Sequence, residues 1–306
     1  MLRWRLISAT IIISAILLLF GLDYHLGSSD SLARPGLIIA LMAMTVALMA
    51  SGEILHFDEA GNKNVKHWAV YLGTFMVVGL SFVPLLYENY PADCSVGRLG
   101  WPLFGISAAV GLAFISQMIG YKQGDQVMDN VAKTIMIVAY IGLLMSFWVP
   151  LRNYLNNQWG LVAIASLCIP VKMSDTMAYT VGKMIGRNKL APQLSPGKTL
   201  EGVGGGVLGG CLGALFVFYV MAPWITGQST GASLGLILVF GVLVTIVGII
   251  GDLSESLLKR NGGVKNSSRW LPGLGGVMDI IDSILAAAPL VYAFWLTGWF
   301  DPVSGN

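Results

Sequence analysis

Charge is what this sequence has least of. Asp, Glu, Lys and Arg make up 11% of its 306 residues, where soluble domains carry about 25%. Such scarcity excludes a soluble globular fold. The net charge of +2 says little by itself, and no nucleic-acid partner is expected. Cysteine is nearly as rare. Cys94, Cys168 and Cys211 stand far apart, with no CxxC pair and no even framework. Cys168 and Cys211 lie in apolar runs and read as packing residues. The three histidines, His25, His56 and His67, have no metal-ligand spacing, so no zinc site is expected. The period-2 alternation of a membrane barrel is missing as well.

Apolar residues fill the space, at 55% of the chain. Runs near the roughly 20 residues that cross a bilayer fall at 6–22, 36–55, 68–87, 101–120, 132–150, 159–181, 203–224, 233–251 and 277–299. Backbone in lipid must satisfy its own hydrogen bonds, so these runs are helices. The expected fold is all-α, a polytopic integral membrane bundle of about nine spans. The first run follows Arg3 and Arg5 and has the look of a signal peptide. It is longer than the usual h-region of about 7–15 residues and no A-x-A site follows, so a retained span is expected.

With the N-terminus on the cytoplasmic side, the inner segments collect Arg3, Arg5, Lys63, Lys66, Lys122, Lys133, Lys183, Arg187, Lys189, Lys198, Lys259, Arg260, Lys265 and Arg269. The outer ones hold Arg34, Arg98 and Arg152, and Lys172 is left within a span. Fourteen against three is a strong positive-inside bias. A bacterial cytoplasmic membrane is the expected location. Residues 1–150 read as a supporting bundle with oligomer contacts, and 151–306 as the catalytic region.

Polar residues that a lipid-facing helix would not carry concentrate late in the chain. Three constellations stand out. Lys172 and Asp175, three apart on one helix face, are either a self-neutralising pair or the lining of a polar pocket, with Ser174 and Tyr179 nearby. The basic segment 183–202 contains Ser195-Pro196-Gly197-Lys198-Thr199. Pro and Gly are expected to bend it so that Ser195, Lys198 and Thr199 converge on one phosphate, with Glu201 orienting Lys198. It resembles the end of a Walker A loop, but the required first glycine falls on Pro192 and no strand is expected before it, which argues against a P-loop. The third constellation is Gly251–Ser283. Asp279 and Asp282, at i and i+3, share a helix face, and Asp252 closes the preceding span. Oxygen ligands of this kind suit Mg²⁺ shared with substrate phosphates, and Lys259, Arg260 and Lys265 can hold phosphate. The Gly-rich run 202–213 repeats glycine every four residues, at 202, 206 and 210 and at 205, 209 and 213, which suits close helix packing.

Ser254, Lys259, Arg260, Lys265, Leu271-Pro272-Gly273, Gly275-Gly276, Asp279 and Asp282 resemble the C-terminal signature of the phosphatidate cytidylyltransferase (CDP-diacylglycerol synthase) family. Asp175-x-x-Ala178-Tyr179-x-x-Gly182-Lys183 followed by Ser195-Pro196-Gly197-Lys198-Thr199-x-Glu201-Gly202 resembles its other core motif. Arg5-Leu6-Ile7-Ser8-Ala9 and Glu53 resemble its N-terminal half more weakly. The family usually has Asp, His and Arg where this chain has Asn266, Leu274 and Ile280. The resemblance implies a dimeric helical membrane enzyme that joins CTP to phosphatidic acid with Mg²⁺. It places Asp252, Asp279 and Asp282 around the metal, with Lys198 beside them in catalysis. Asp175, Ser195, Lys198, Thr199, Glu201, Lys259, Arg260 and Lys265 fall on substrate. The alternatives are a CTP-dependent lipid kinase of the polyprenol or phytol type, and a catalytically inactive lipid-binding or transport homologue.

Overall fold

The structure is a computed structural model. It describes residues 2–28, 34–58, 65–87, 90–91, 94, 96–264, 267–268 and 275–302, with side chains from Thr10 onward except those of Ser28 and Asp58. Lys265, Asn266 and the 269–274 stretch, including Pro272, Gly273 and Leu274, lie outside the described residues.

The helices are α1 (Leu2–Ser28), α2 (Leu37–Asp58), α3 (His67–Leu80), α4 (Val83–Leu86), α5 (Gly100–Met118) and α6 (Val127–Ile137). A π-helical turn (Val138–Leu143) leads to α7 (Leu144–Ser146) and α8 (Trp148–Arg152). Next come α9 (Asn157–Ile185), β1 (Lys189–Ala191), β2 (Ser195–Thr199) and α10 (Leu200–Phe216). A second π turn (Val217–Met221) precedes α11 (Ala222–Thr226), α12 (Leu234–Asn261) and α13 (Met278–Leu296). Among the described residues, eight helical stretches are long and apolar enough to cross a membrane, and α3 is a shorter apolar helix of 14 residues. The chain is therefore a polytopic helical membrane protein. The expected span 68–87 is broken. The Ser81 hydroxyl donates to Val78 O at 2.6 Å, and Pro84 opens the next short helix, where a missing N–H costs nothing.

The chain forms two compact units. One comprises Met1–Pro150 with Leu258–Ile280, the other Leu151–Leu257 with Ile281–Asn306. Residues 258–280 thus cluster with the N-terminal half, whereas sequence alone grouped all of 151–306 together.

In the first unit α2 begins under an acid from another helix. Asp23, 1% exposed, accepts from Gly36 N at 3.1 Å and Ile38 N at 3.0 Å. In the second unit the glycine-rich face of α10 lies against α9. A Cβ at Gly205 would sit 2.6 Å from the Val181 side chain, at Gly209 2.6 Å from Met173 O, and at Gly213 2.7 Å from Pro170 Cα. Gly210 faces α12 instead, against Thr245 and Gly241. Packing is thus what these glycines provide.

The segment between α9 and α10 departs from the expected bend. Ser195–Thr199 is extended and pairs antiparallel with Lys189–Ala191, so the reversal falls at 192–194. A strand does precede the Walker-like residues, but it forms a hairpin with them.

The packing account separates two glycines of one helix. Gly213→Ala meets backbone that cannot yield and lowers stability by about 1–3 kcal/mol. Gly204→Ala, with nothing within 4 Å, is neutral or stabilises by up to about 1 kcal/mol. Thermal unfolding of the two purified variants in detergent checks the contrast.

Candidate functional site

In the second unit α12 and α13 approach closely at one glycine. A Cβ on Gly251 would lie 2.6 Å from both Asp282 O and Ala286 Cβ. The residues that follow are therefore delivered to the start of α13. Asp252 and Glu255, three apart and so on one face, meet Asp282. One carboxylate oxygen from each lies within 4.8 Å of the others. Glu255 is 1% exposed and Asp282 5% exposed; Asp252 is more open.

Buried carboxylates in such proximity repel one another, and positive charge nearby relieves this. Lys198 supplies one, with Nζ 2.7 Å from Asp252 Oδ2. Lys172 pairs with Asp175 at 3.2 Å and lies within electrostatic reach of Asp282. The donor set also fits a hard divalent cation. Three carboxylate oxygens gathered within 4.8 Å of one another are the hard ligands that such an ion takes, with substrate phosphates and water to complete its shell.

The hairpin carries Lys198 to this cluster, and its neighbours have other tasks. Thr199 is buried and caps α10, its Oγ1 accepting from Gly202 N at 3.1 Å. Strand alternation puts Ser195 and Thr199 on the face opposite Lys198. Glu201 does not bond Lys198. Its carboxylate accepts from Arg187 N at 3.0 Å, Asn188 N at 3.2 Å and Asn188 Nδ2 at 2.8 Å, which ties the base of the hairpin to the first turn of α10.

The first unit holds a second polar group. Asp279 Oδ1 accepts from Lys259 Nζ at 2.7 Å. Its Oδ2 accepts from Gly276 N at 2.7 Å and Ser267 N at 3.3 Å. Both oxygens are thus engaged by donors. Gly275 has φ +92, and a Cβ there would run into the Asp279 carboxylate, so glycine is required on two counts. Lys259 is largely covered, its side chain 13% exposed, while Arg260 is exposed. Ile280 occupies the first turn of α13.

Of the acids expected at the metal, Asp252 and Asp282 come together within their unit, and Asp279 is bonded to Lys259 within its own. Glu255 was not singled out from sequence. The signal was present, since it stands at i+3 from Asp252, but an acid beside Lys259 and Arg260 reads as an ordinary solvated residue.

Comparison with known proteins bears on what this machinery does. The phosphatidate cytidylyltransferase of Bacillus subtilis (strain 168) is 29% identical over 259 residues, covering 83% of this chain and 89% of its own. That of Staphylococcus aureus (strain COL) is 33% identical over 267 residues, covering 85% and 90%. That of Pseudomonas aeruginosa is 40% identical over 187 residues, covering 61% and 64%. Residues 4–297 match the cytidylyltransferase family as a whole, and the chain belongs to that family.

Proposed function

We infer that this chain transfers a cytidylyl group from CTP to phosphatidic acid, giving CDP-diacylglycerol and pyrophosphate. The observation that carries this reading is the meeting of Asp252, Glu255 and Asp282 beside Lys198, in a membrane protein of the cytidylyltransferase family. The relatives from Bacillus subtilis and Staphylococcus aureus are phosphatidate cytidylyltransferases.

A phosphate monoester is already a nucleophile at neutral pH, so no strong base is required. One of its oxygens forms a bond to the α-phosphorus of CTP as the bond from that phosphorus to the bridging oxygen breaks, and pyrophosphate departs with the electron pair. The protein's contribution is alignment of two polyanions and neutralisation of the charge that builds on the leaving group. Lys198 and Lys259 are suited to hold phosphate oxygens, and Arg260 and Lys265 add positive charge in the same stretch of sequence. Asp252, Glu255 and Asp282 are assigned to hold Mg²⁺, which when bound neutralises triphosphate charge. Asp279 is assigned to aim Lys259, through their 2.7 Å bond. The acyl chains of the lipid are assigned to the bilayer, with its headgroup entering beside the Lys172–Asp175 pair.

The positive-inside bias supports a site on the cytoplasmic face of a bacterial cytoplasmic membrane. The resemblance to the synthases supports a homodimer.

Two outcomes test the reading. Purified protein with CTP, Mg²⁺ and phosphatidic acid yields CDP-lipid and pyrophosphate, and EDTA stops it; release of CDP with a newly phosphorylated lipid would overturn the assignment. Glu255→Gln and Asp282→Asn each insert normally and lose at least about a hundredfold in turnover, measured by radiolabelled CDP-lipid formation. Near-normal turnover in either would remove that residue from the site.

A further inference from the structure

Helix α13 begins without a cap of its own. The residues before Met278 are Leu274-Gly275-Gly276-Val277, none with the oxygen-bearing side chain that usually accepts from the first amides of a helix. Gly276 N is met by Asp279, as described. The next two amides are met from far away in sequence. Val277 N donates to Glu53 Oε1 at 2.9 Å, and Met278 N donates to Glu53 Oε2 at 2.8 Å. Glu53 sits near the end of α2, in the same compact unit as these residues. Each of its oxygens takes one amide, a fork that fixes direction as well as distance. The contact also explains Gly276, where a Cβ would overlap the Glu53 carboxylate. Two consecutive glycines thus each leave room for an acid, Gly275 for Asp279 and Gly276 for Glu53.

We propose that Glu53 is a positioning residue for the transfer reaction: its bidentate cap on Val277 and Met278 sets the first turn of α13, and with it the aim of Asp279 and Lys259. This rests on the cytidylyl-transfer reading for its kinetic consequence. The cap itself stands on geometry alone. Glu53 touches no reacting atom, so its effect is transmitted through the turn. A negative charge at a helix N-terminus further favours the arrangement through the helix dipole.

A structural bond elsewhere in α2, the helix of Glu53, gives the control. Ser51 and Thr74 share a buried hydrogen bond of 3.0 Å remote in role from α13. The experiment compares the full-length wild type with Glu53→Ala, Glu53→Gln and Ser51→Ala. It measures Tm, kcat, KM for CTP, and hydrogen exchange of the peptide spanning 275–285.

Glu53→Ala is expected to exchange roughly tenfold faster at Val277 and Met278, the factor carried by one lost charge-assisted bond. Its kcat falls about tenfold to a hundredfold, the loss typical of misplaced supporting groups, while KM for CTP changes less than kcat. Glu53→Gln, which keeps one acceptor oxygen, is expected to fall between. Ser51→Ala lowers Tm and leaves kcat and the α13 amides unchanged. Wild-type exchange in both Glu53 variants would refute the cap. Wild-type kcat in both, or a kcat loss in Ser51→Ala equal to theirs, would refute the positioning role. If Glu53→Ala does not accumulate, Glu53→Gln decides on the same readouts. A wild type without turnover would refute the transfer reading instead, and the exchange arm would still test the cap.

Discussion

A single close approach governs the acidic site. At Gly251 the second-unit parts of α12 and α13 come so near that a methyl group would collide with Asp282 O and Ala286. Helices in a bilayer gain little from hiding apolar surface from one another, so contact of this kind depends on small residues. Once the backbones meet there, the following turn of α12 has to present Asp252 and Glu255 to Asp282. Their repulsion sets the chemistry. Carboxylates held this close and this buried are stabilised by cations among them, and Lys198 on Asp252 supplies one while leaving a set that suits a divalent ion.

The same economy recurs at helix ends. Within a membrane protein, amides left over at a helix start cannot rely on water. The chain meets this demand with carboxylates borrowed from other helices. Asp23 of α1 serves the start of α2, and Glu53 of α2 serves the start of α13. Where the chain has a polar residue at hand it uses a local cap, Asn156 for α9 and Thr199 for α10. The distant caps do more than satisfy donors, since each fixes one helix against another at the depth where the acid sits.

Much of this was legible in the residues. Hydrophobic run length gave the spans, and the four-residue glycine period anticipated the tight face of α10. Run length could not see the break after α3, because Ser81 and Pro84 interrupt a helix without interrupting hydropathy. Pro196 and Gly197 suggest a bend within Ser195–Thr199, while the actual reversal lies just before, and backbone pairing with Lys189–Ala191 is invisible to composition. Glu201 was paired in expectation with Lys198, its near neighbour in sequence, but strand alternation turns Lys198 away toward Asp252. Glu255 was passed over because a single acid beside two cations has a bland explanation, and only the approach at Gly251 gives it another. The cap from Glu53 spans more than two hundred residues, and no local pattern encodes it.

The central claim is that Asp252, Glu255 and Asp282 together bind one divalent cation. Electron paramagnetic resonance titration of Mn²⁺ into the purified full-length chain measures this without any turnover. The account predicts one bound Mn²⁺ per chain, with affinity reduced about tenfold or more in Glu255→Gln. Unchanged Mn²⁺ affinity in that variant, or no binding by the wild type, would contradict it.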